Sequence, residues 1–411
     1  MSREALRDGD QRRIVSRAGT NLGSASAHNR RVIIDALRLN GALSRAELAR
    51  STLLTRQTTS NIMDELEAAG LVEAEAAVKL ARGQPAVPYR LLPHGAFAIG
   101  LHIDRRYLRA VAVNLLCEPL VMIGCELPDE GPYKGTPIAL DLIERVRREL
   151  AHIHSDAEIR TVGLGVAMPG PFGIHRQSPH QGAVAEWHAY PLADMFSKAT
   201  GLSVRIFNDA AAATIAEKLN GVAHGIENFV CIFLAYGIGA GVVLNGELLE
   251  GARGNIGEIG EMLLSLDPDG NGARSFEEEA SMASLAASLG VPGRSAPETF
   301  DLIERALAGG DPRIGHWIKA VAPKVRQAVQ IIESAFDPDT IVFGGEVPKG
   351  LLERLVAALE PLLPSVASRS DRHLPRLTIG DANRWAVALG AAAEPISREF
   401  DPRLAAMLKT G

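Results

Sequence analysis

Phe207-Asn208-Asp209-Ala210 and, downstream, Gly254-Asn255-Ile256-Gly257-Glu258-Ile259-Gly260-Glu261 set polar groups on a background of glycine and small residues. Asn208 offers amide donors and an acceptor, and Asp209, Glu258 and Glu261 offer carboxylates. Such groups match the rows of hydroxyls on a sugar. Between the two stretches lies Ala235-Tyr236-Gly237-Ile238-Gly239-Ala240-Gly241, a turn that lets backbone approach a ligand. The first stretch also stands where a short apolar run, residues 204–207, gives way to a helical run, residues 210–219.

The same alternation extends in both directions. Residues 97–101, 108–113 and 120–125 are apolar runs of strand length, and residues 141–152 carry an amphipathic helical pattern. Residues 161–167 form a further strand that ends in Met168-Pro169-Gly170-Pro171, and residues 339–343 lead into Gly344-Gly345-Glu346. Strands alternating with helices predict an α/β body.

Before Pro93 the pattern is different. Residues 1–28 are polar with no apolar period and are expected to be a mobile arm. From Asn29 a helical pattern runs to Asn40-Gly41, a C-cap pair. Ser44 and Glu47 then make a capping box for a second helix, and Thr55 caps a third that closes at Gly70. Three helices with a tight turn between the last two predict a helix-turn-helix. Thr58, Ile62, Leu66 and Ala69 are expected to face the core. Arg56, Gln57, Ser60 and Asn61 then point outward near the helix N-terminus, where they suit base edges and phosphates. Two short strands follow, joined through Arg82-Gly83-Gln84-Pro85. They read as a wing whose Arg82 reaches a minor groove. The bland alternative is a three-helix packing module with a wet polar face. The serial order of capped helix, turn, capped polar helix and basic wing favours the DNA-binding reading.

Charge divides the same way. Residues 1–90 carry 14 Lys and Arg against 10 Asp and Glu, whereas the remainder carries 29 against 39. A basic head on an acidic body is expected of a DNA-binding domain joined to a small-molecule domain. The composition, 46% hydrophobic and 22% charged, is globular. No apolar run reaches the roughly 18–20 residues that span a bilayer, so no membrane partner is expected. Met1-Ser2-Arg3-Glu4 has no apolar signal core. Cys117, Cys125 and Cys231 lack metal or CxxC spacing, which suits a reducing cytoplasm.

Taken together these residues resemble the ROK family of sugar kinases and sugar-responsive repressors. The resemblance covers residues 29–411. It runs through the glycine turns, Pro179 with Trp187 and Pro191, Asn208-Asp209-Ala210, Gly257-Glu258-Ile259-Gly260, Gly344-Gly345 and Ala388-Leu389-Gly390-Ala391-Ala392. It implies a winged helix-turn-helix head over residues 29–92, followed by a two-lobed actin- and hexokinase-like fold. The small lobe is expected over residues 93–207 plus 385–411, and the large lobe over 208–384. It implies that Asn208, Asp209, Glu258 and Glu277 hold sugar hydroxyls in the cleft, with Glu261 beside them. In the kinases the Asp of this motif is also the catalytic base. A homodimer or dimer of dimers is implied as well.

Two departures bear on function. The family's kinases place an Asp-x-Gly-x-Thr turn between the first two strands. Here the stretch is His102-Ile103-Asp104-Arg105-Arg106. The acidic residue that orients Mg²⁺ is replaced by His102, and side chains crowd the place of the glycines that approach phosphate. Arg105 and Arg106 are expected to lie exposed at the hairpin tip. The family's zinc-binding His and cysteines are also missing. Glu261 takes the position of the His, and residues 267–277 contain no thiolate, so no structural metal is expected. Glu261 is expected to turn to solvent or to pair with Arg253 or Arg274. The reading is a sugar-responsive regulator that binds operator DNA, with no catalytic residue and no cofactor. The alternatives are a sugar kinase with an accessory head, and a regulator whose body docks a protein partner.

Overall fold

The computed structural model describes residues 22–77, 86–127, 131–172, 182–265, 273–293 and 295–402. Helix α1 (Leu22–Asn40) begins earlier than expected, so residues 22–28 belong to a helix rather than to an arm; residues 1–21 lie outside the described residues. After β1 (Leu43–Ser44) come α2 (Arg45–Thr52) and α3 (Arg56–Ala68). Ser44 and Glu47 make the capping box reciprocally, and Thr55 accepts from the Thr58 amide. Strands β2 (Val72–Ala74) and β3 (Pro88–Leu91) pair antiparallel. β1 adds to the outer side of β3, giving three strands where the sequence suggested two. The wing tip with Arg82 lies outside the described residues.

The body contains two five-stranded sheets. The first holds β4 (Phe97–Ile103), β5 (Tyr107–Asn114), β6 (Pro119–Glu126), β7 (Thr161–Met168) and β8 (Val204–Asn208), in the order β6-β5-β4-β7-β8. Helices α4 (Pro132–Ile153), α5 (Ala157–Arg160), α6 (Gly182–Ala189) and α7 (Leu192–Thr200) connect its later strands. Helix α8 (Asp209–Asn220) leads to the second sheet. That sheet comprises β9 (Phe229–Leu234), β10 (Ile238–Leu244), β11 (Glu247–Leu248), β14 (Thr340–Gly345) and β15 (Leu377–Ala382), in the order β11-β10-β9-β14-β15. The intervening chain forms β12 (Leu263–Ser265), β13 (Arg274–Ser275), α9 (Phe276–Ala280), α10 (Met282–Ser288), α11 (Ala296–Ala308) and α12 (Pro312–Phe336). Helix α13 (Lys349–Ala358) follows β14. Each sheet is an antiparallel meander of three strands continued by two parallel ones. The body is therefore one topology used twice, with the cleft between the copies. Among the described residues no helix is long and apolar enough to cross a membrane.

The last helix, α14 (Ala386–Phe400), returns from the second sheet to pack on β4, β7 and α8. Its run of alanines is what permits this. A Cβ at Gly390 would lie 1.9 Å from the Ala212 carbonyl oxygen, so only glycine lets α14 and α8 come together. The head is continuous with this region. Ile33 and Leu37 of α1 share one apolar core with Leu115, Ile215 and Phe400 of the body. Arg31 also donates to the Glu399 carbonyl at 2.7 Å.

Candidate functional site: a DNA-facing helix and an interlobe cleft

On α3, Arg56, Gln57 and Asn61 are exposed and Ser60 is half-buried. Gln57 donates to the Asn61 side chain at 2.8 Å, which holds both on one outward face. The core face differs from expectation by about one residue of rotation. Thr59, Ile62, Met63 and Leu66 are buried, whereas Thr58 is half-buried and Ala69 is exposed. The cap explains it: the Thr58 hydroxyl lies 2.8 Å from that of Thr55, while Thr59 donates inward to the Thr55 carbonyl. The exposed polar face of α3 is unaffected. Arg45 fixes α3 to the rest of the head, reaching Asp64 at 2.6 Å and the Tyr89 hydroxyl at 3.0 Å. If Arg56 and Gln57 make base contacts, Arg56→Ala is expected to weaken operator binding by ~1–3 kcal/mol, and binding is expected to fall steeply with salt. A filter-binding titration in which Arg56→Ala and Gln57→Ala both match wild type would remove the assignment.

Between the two sheets is a cleft of about 390 Å³. Asn208, at the end of β8, caps α8 by accepting from the Ala211 amide at 2.7 Å. Its amide nitrogen donates to Glu258 at 3.2 Å, so the side chain already has a partner at each end. Asp209 opens α8 and faces the cleft. Glu277 accepts from the Ile238 amide at 3.1 Å and thereby holds the glycine turn in place. Glu261 lies exposed on the rim of the cleft. Burial pushes the Glu258 carboxyl up to about 7; the bond from Asn208 opposes this, and Glu277, Glu261 and Asp209 add to it. The five sugar-site residues read from the sequence thus line one cleft.

Sequence reading did not place His102, Asp104 and Glu346 there, nor Arg109 behind them. His102, 2% exposed at the end of β4, has Nε2 3.5 Å from Asp209 and Nδ1 3.4 Å from Glu346. Arg109 backs Glu346 at 3.3 Å and stands 3.4 Å from His102 Nδ1. Burial opposes a charge on His102, but the carboxylates of Asp209 and Glu346 outweigh it and lift the imidazole to about 10. Burial pushes the Asp209 carboxyl up, while His102 draws it back down. Asp104 adds a third carboxylate to this cluster, against the guanidiniums of Arg109 and Arg105, so the imidazolium form is favoured. The one available signal was the replacement at position 102 itself. Arg105 corrects an expectation. It is half-buried rather than exposed, lines the cleft, and stacks across it on Tyr236 at 4.6 Å. Arg106 does lie exposed. Among the described residues, no group of three His, Cys, Asp or Glu side chains is placed to hold a metal.

The chain is similar to known proteins over nearly its whole length. The ROK family model matches residues 134–394, and a MarR family model matches residues 32–82. The DNA-binding transcriptional repressor Mlc of Escherichia coli is 27% identical over 75% of this chain and 78% of its own. A glucokinase of Halalkalibacterium halodurans is 24% identical, over 61% of this chain and 82% of its own. A crystal structure of a ROK family transcriptional regulator, described as a homologue of the Escherichia coli protein, superposes with a TM-score of 0.68. It is 24% identical and covers 93% of this chain and 98% of its own, which establishes a common fold.

Proposed function

The chain belongs to the ROK family, and from that premise we propose that it is a sugar-responsive, DNA-binding transcriptional repressor. One observation carries the reading. A head with a polar, exposed face on α3 is joined through a common core to a cleft of hydrogen-bonding groups suited to a sugar. A ligand that closes the cleft can move the head, and two heads in a dimer must fit half-sites about one helical turn apart. The effector is a sugar or sugar derivative held by Asn208, Asp209, Glu258, Glu261 and Glu277. The working form is a cytoplasmic homodimer or dimer of dimers. In this reading the small lobe is residues 93–207 plus 385–411, of which 403–411 lie outside the described residues, and the large lobe is residues 208–384.

In this reading the protein is not a kinase. Phosphoryl transfer rests on positioning and on neutralising phosphate charge. Here the turn after β4 presents an imidazole and an inward arginine in place of a carboxylate and glycines, and the imidazole is engaged with Asp209. With Mg²⁺, ATP and a panel of sugars and polyols, a coupled assay gives no ADP above a blank. Turnover that disappears in Asp209→Asn would make the kinase reading correct. The regulator reading is tested by DNA-shift titration with and without each sugar.

A further inference from the structure

The last two turns of α3 hold Asp64, Glu65 and Glu67 and no basic residue, although the negative end of the helix dipole lies there. Arg45 of α2 pairs with Asp64, but the last carbonyls are left to the body. The helix closes at Gly70, whose φ of +67° is left-handed, and Leu71 donates back to the Leu66 carbonyl at 2.9 Å. Arg160, the last residue of α5, then brings Nη1 to 3.5 Å from the carbonyls of Ala69 and Gly70 and to 3.2 Å from that of Gly95. Asp156 holds the same guanidinium from the other side. The fit is close, since a Cβ at Gly70 would lie 3.0 Å from Arg160 Nη2. Among the described residues, every hydrogen bond from the body to residues 56–70 comes from Arg160.

Arg160 also stands at one end of a rod. β7 follows it directly and runs between β4 and β8 for eight residues, about 26 Å. Beyond its far end Pro169 and Gly170 line the sugar cleft. Gly170 packs so closely on Glu258 that a Cβ there would lie 2.3 Å from Oε1. The head's other polar ties are on α1. Arg31 reaches α14, and Arg38 donates to the Leu115 carbonyl, just after β5, at 3.4 Å. Two separated attachments fix an orientation, where one would leave a pivot.

We propose that Arg160 is a positioning residue for operator binding, which fixes the angle at which the body presents α3. It acts through the end of the helix rather than by contacting DNA. Its guanidinium sets where the exposed face of α3 stands relative to the first sheet. In a dimer that placement sets the separation of the two faces, which must match the half-sites. The role in DNA binding rests on the proposed function, whereas the positioning of α3 does not.

The two are read separately in the full chain. Spin labels at Glu65→Cys on α3 and Glu149→Cys on α4, both exposed positions, report the distance between head and body. Cys125→Ser removes the cysteine that is not buried, and labelled chains are diluted in unlabelled ones. The distance distribution should be a single narrow peak with Arg160 in place. It should broaden or shift in Arg160→Ala, and less in Asp156→Asn, which loosens the guanidinium without removing it. On a DNA site selected in vitro by the full chain, Arg160→Ala should bind roughly tenfold more weakly, as for a lost charge-assisted hydrogen-bond set, and bind unrelated DNA at wild-type strength. An unaltered distance distribution in Arg160→Ala, or equal loss on both DNAs, overturns the proposal. Unchanged affinity for the selected site overturns the role in operator binding. Failure of wild type to select any sequence would instead overturn the regulator reading and leave the distance measurement to decide the positioning.

Discussion

Replacing His102 by alanine is expected to destabilise the body by about 3–5 kcal/mol, the cost of removing one partner from a buried ion-paired cluster. The variant leaves the carboxylates of Asp209 and Glu346 facing one another, with Arg109 paired to Glu346 and Arg105 in the same cleft. The loss depends on pH in a defined sense. The folded imidazole is lifted to about 10, above the ~6.5 of an unfolded chain. A group raised in this way contributes fully below the unfolded value, and its contribution declines as pH rises through the folded one. The difference between wild type and His102→Ala should therefore be largest at pH 6 and shrink progressively towards pH 10. Urea unfolding at several pH values measures it. A difference that instead grows from pH 6 to pH 8 would mean that His102 is buried neutral.

The second large effect concerns signalling. Asp209→Ala also removes a partner of His102, so it is compared under conditions where urea unfolding shows it folded; there it should bind operator DNA as wild type does and fail to respond to the sugar effector. A carboxylate accepting hydroxyl hydrogen bonds in a partly closed cleft makes charge-assisted contacts. Losing them costs on the order of 2–3 kcal/mol, or roughly thirty- to a hundredfold in ligand affinity. Asp209 lies in the cleft and the residues proposed to contact DNA lie on α3, so the two proposed activities are expected to separate. DNA-shift titrations of wild type and variant side by side, with and without the sugar, measure this. A variant that responds at the wild-type concentration would place the effector elsewhere.

How much of this was legible before the structure follows from the range of the interactions involved. The caps at Ser44 and Thr55 are local hydrogen bonds, and they stand where the sequence put them. Asn208, Asp209 and Glu258 were singled out as polar groups set among small residues, and they line one cleft. The rotation of α3 was missed because a threonine cap competes with burial for Thr58. The early start of α1 was missed because residues 22–28 carry no apolar period. The cluster of His102, Asp209 and Glu346 joins residues far apart in the chain, and no spacing rule connects them. The same holds for Arg105 and Tyr236.

The position of α14 also bears on how the chain is made. The first body sheet begins at Phe97, but the helix that covers β4 and β7 starts at Ala386. A growing chain has therefore emitted most of its length from the ribosome before that face can be covered. Until then a surface of glycine and alanine, shaped for close helix contact, stands open to solvent and to neighbouring chains. Domains generally form in order of synthesis, and uncovered apolar faces in intermediates favour aggregation. Loss of the last helix through premature termination thus removes the seal of the first lobe and part of the seat of the head. Such fragments are expected to be clients of chaperones and proteases rather than partly active regulators.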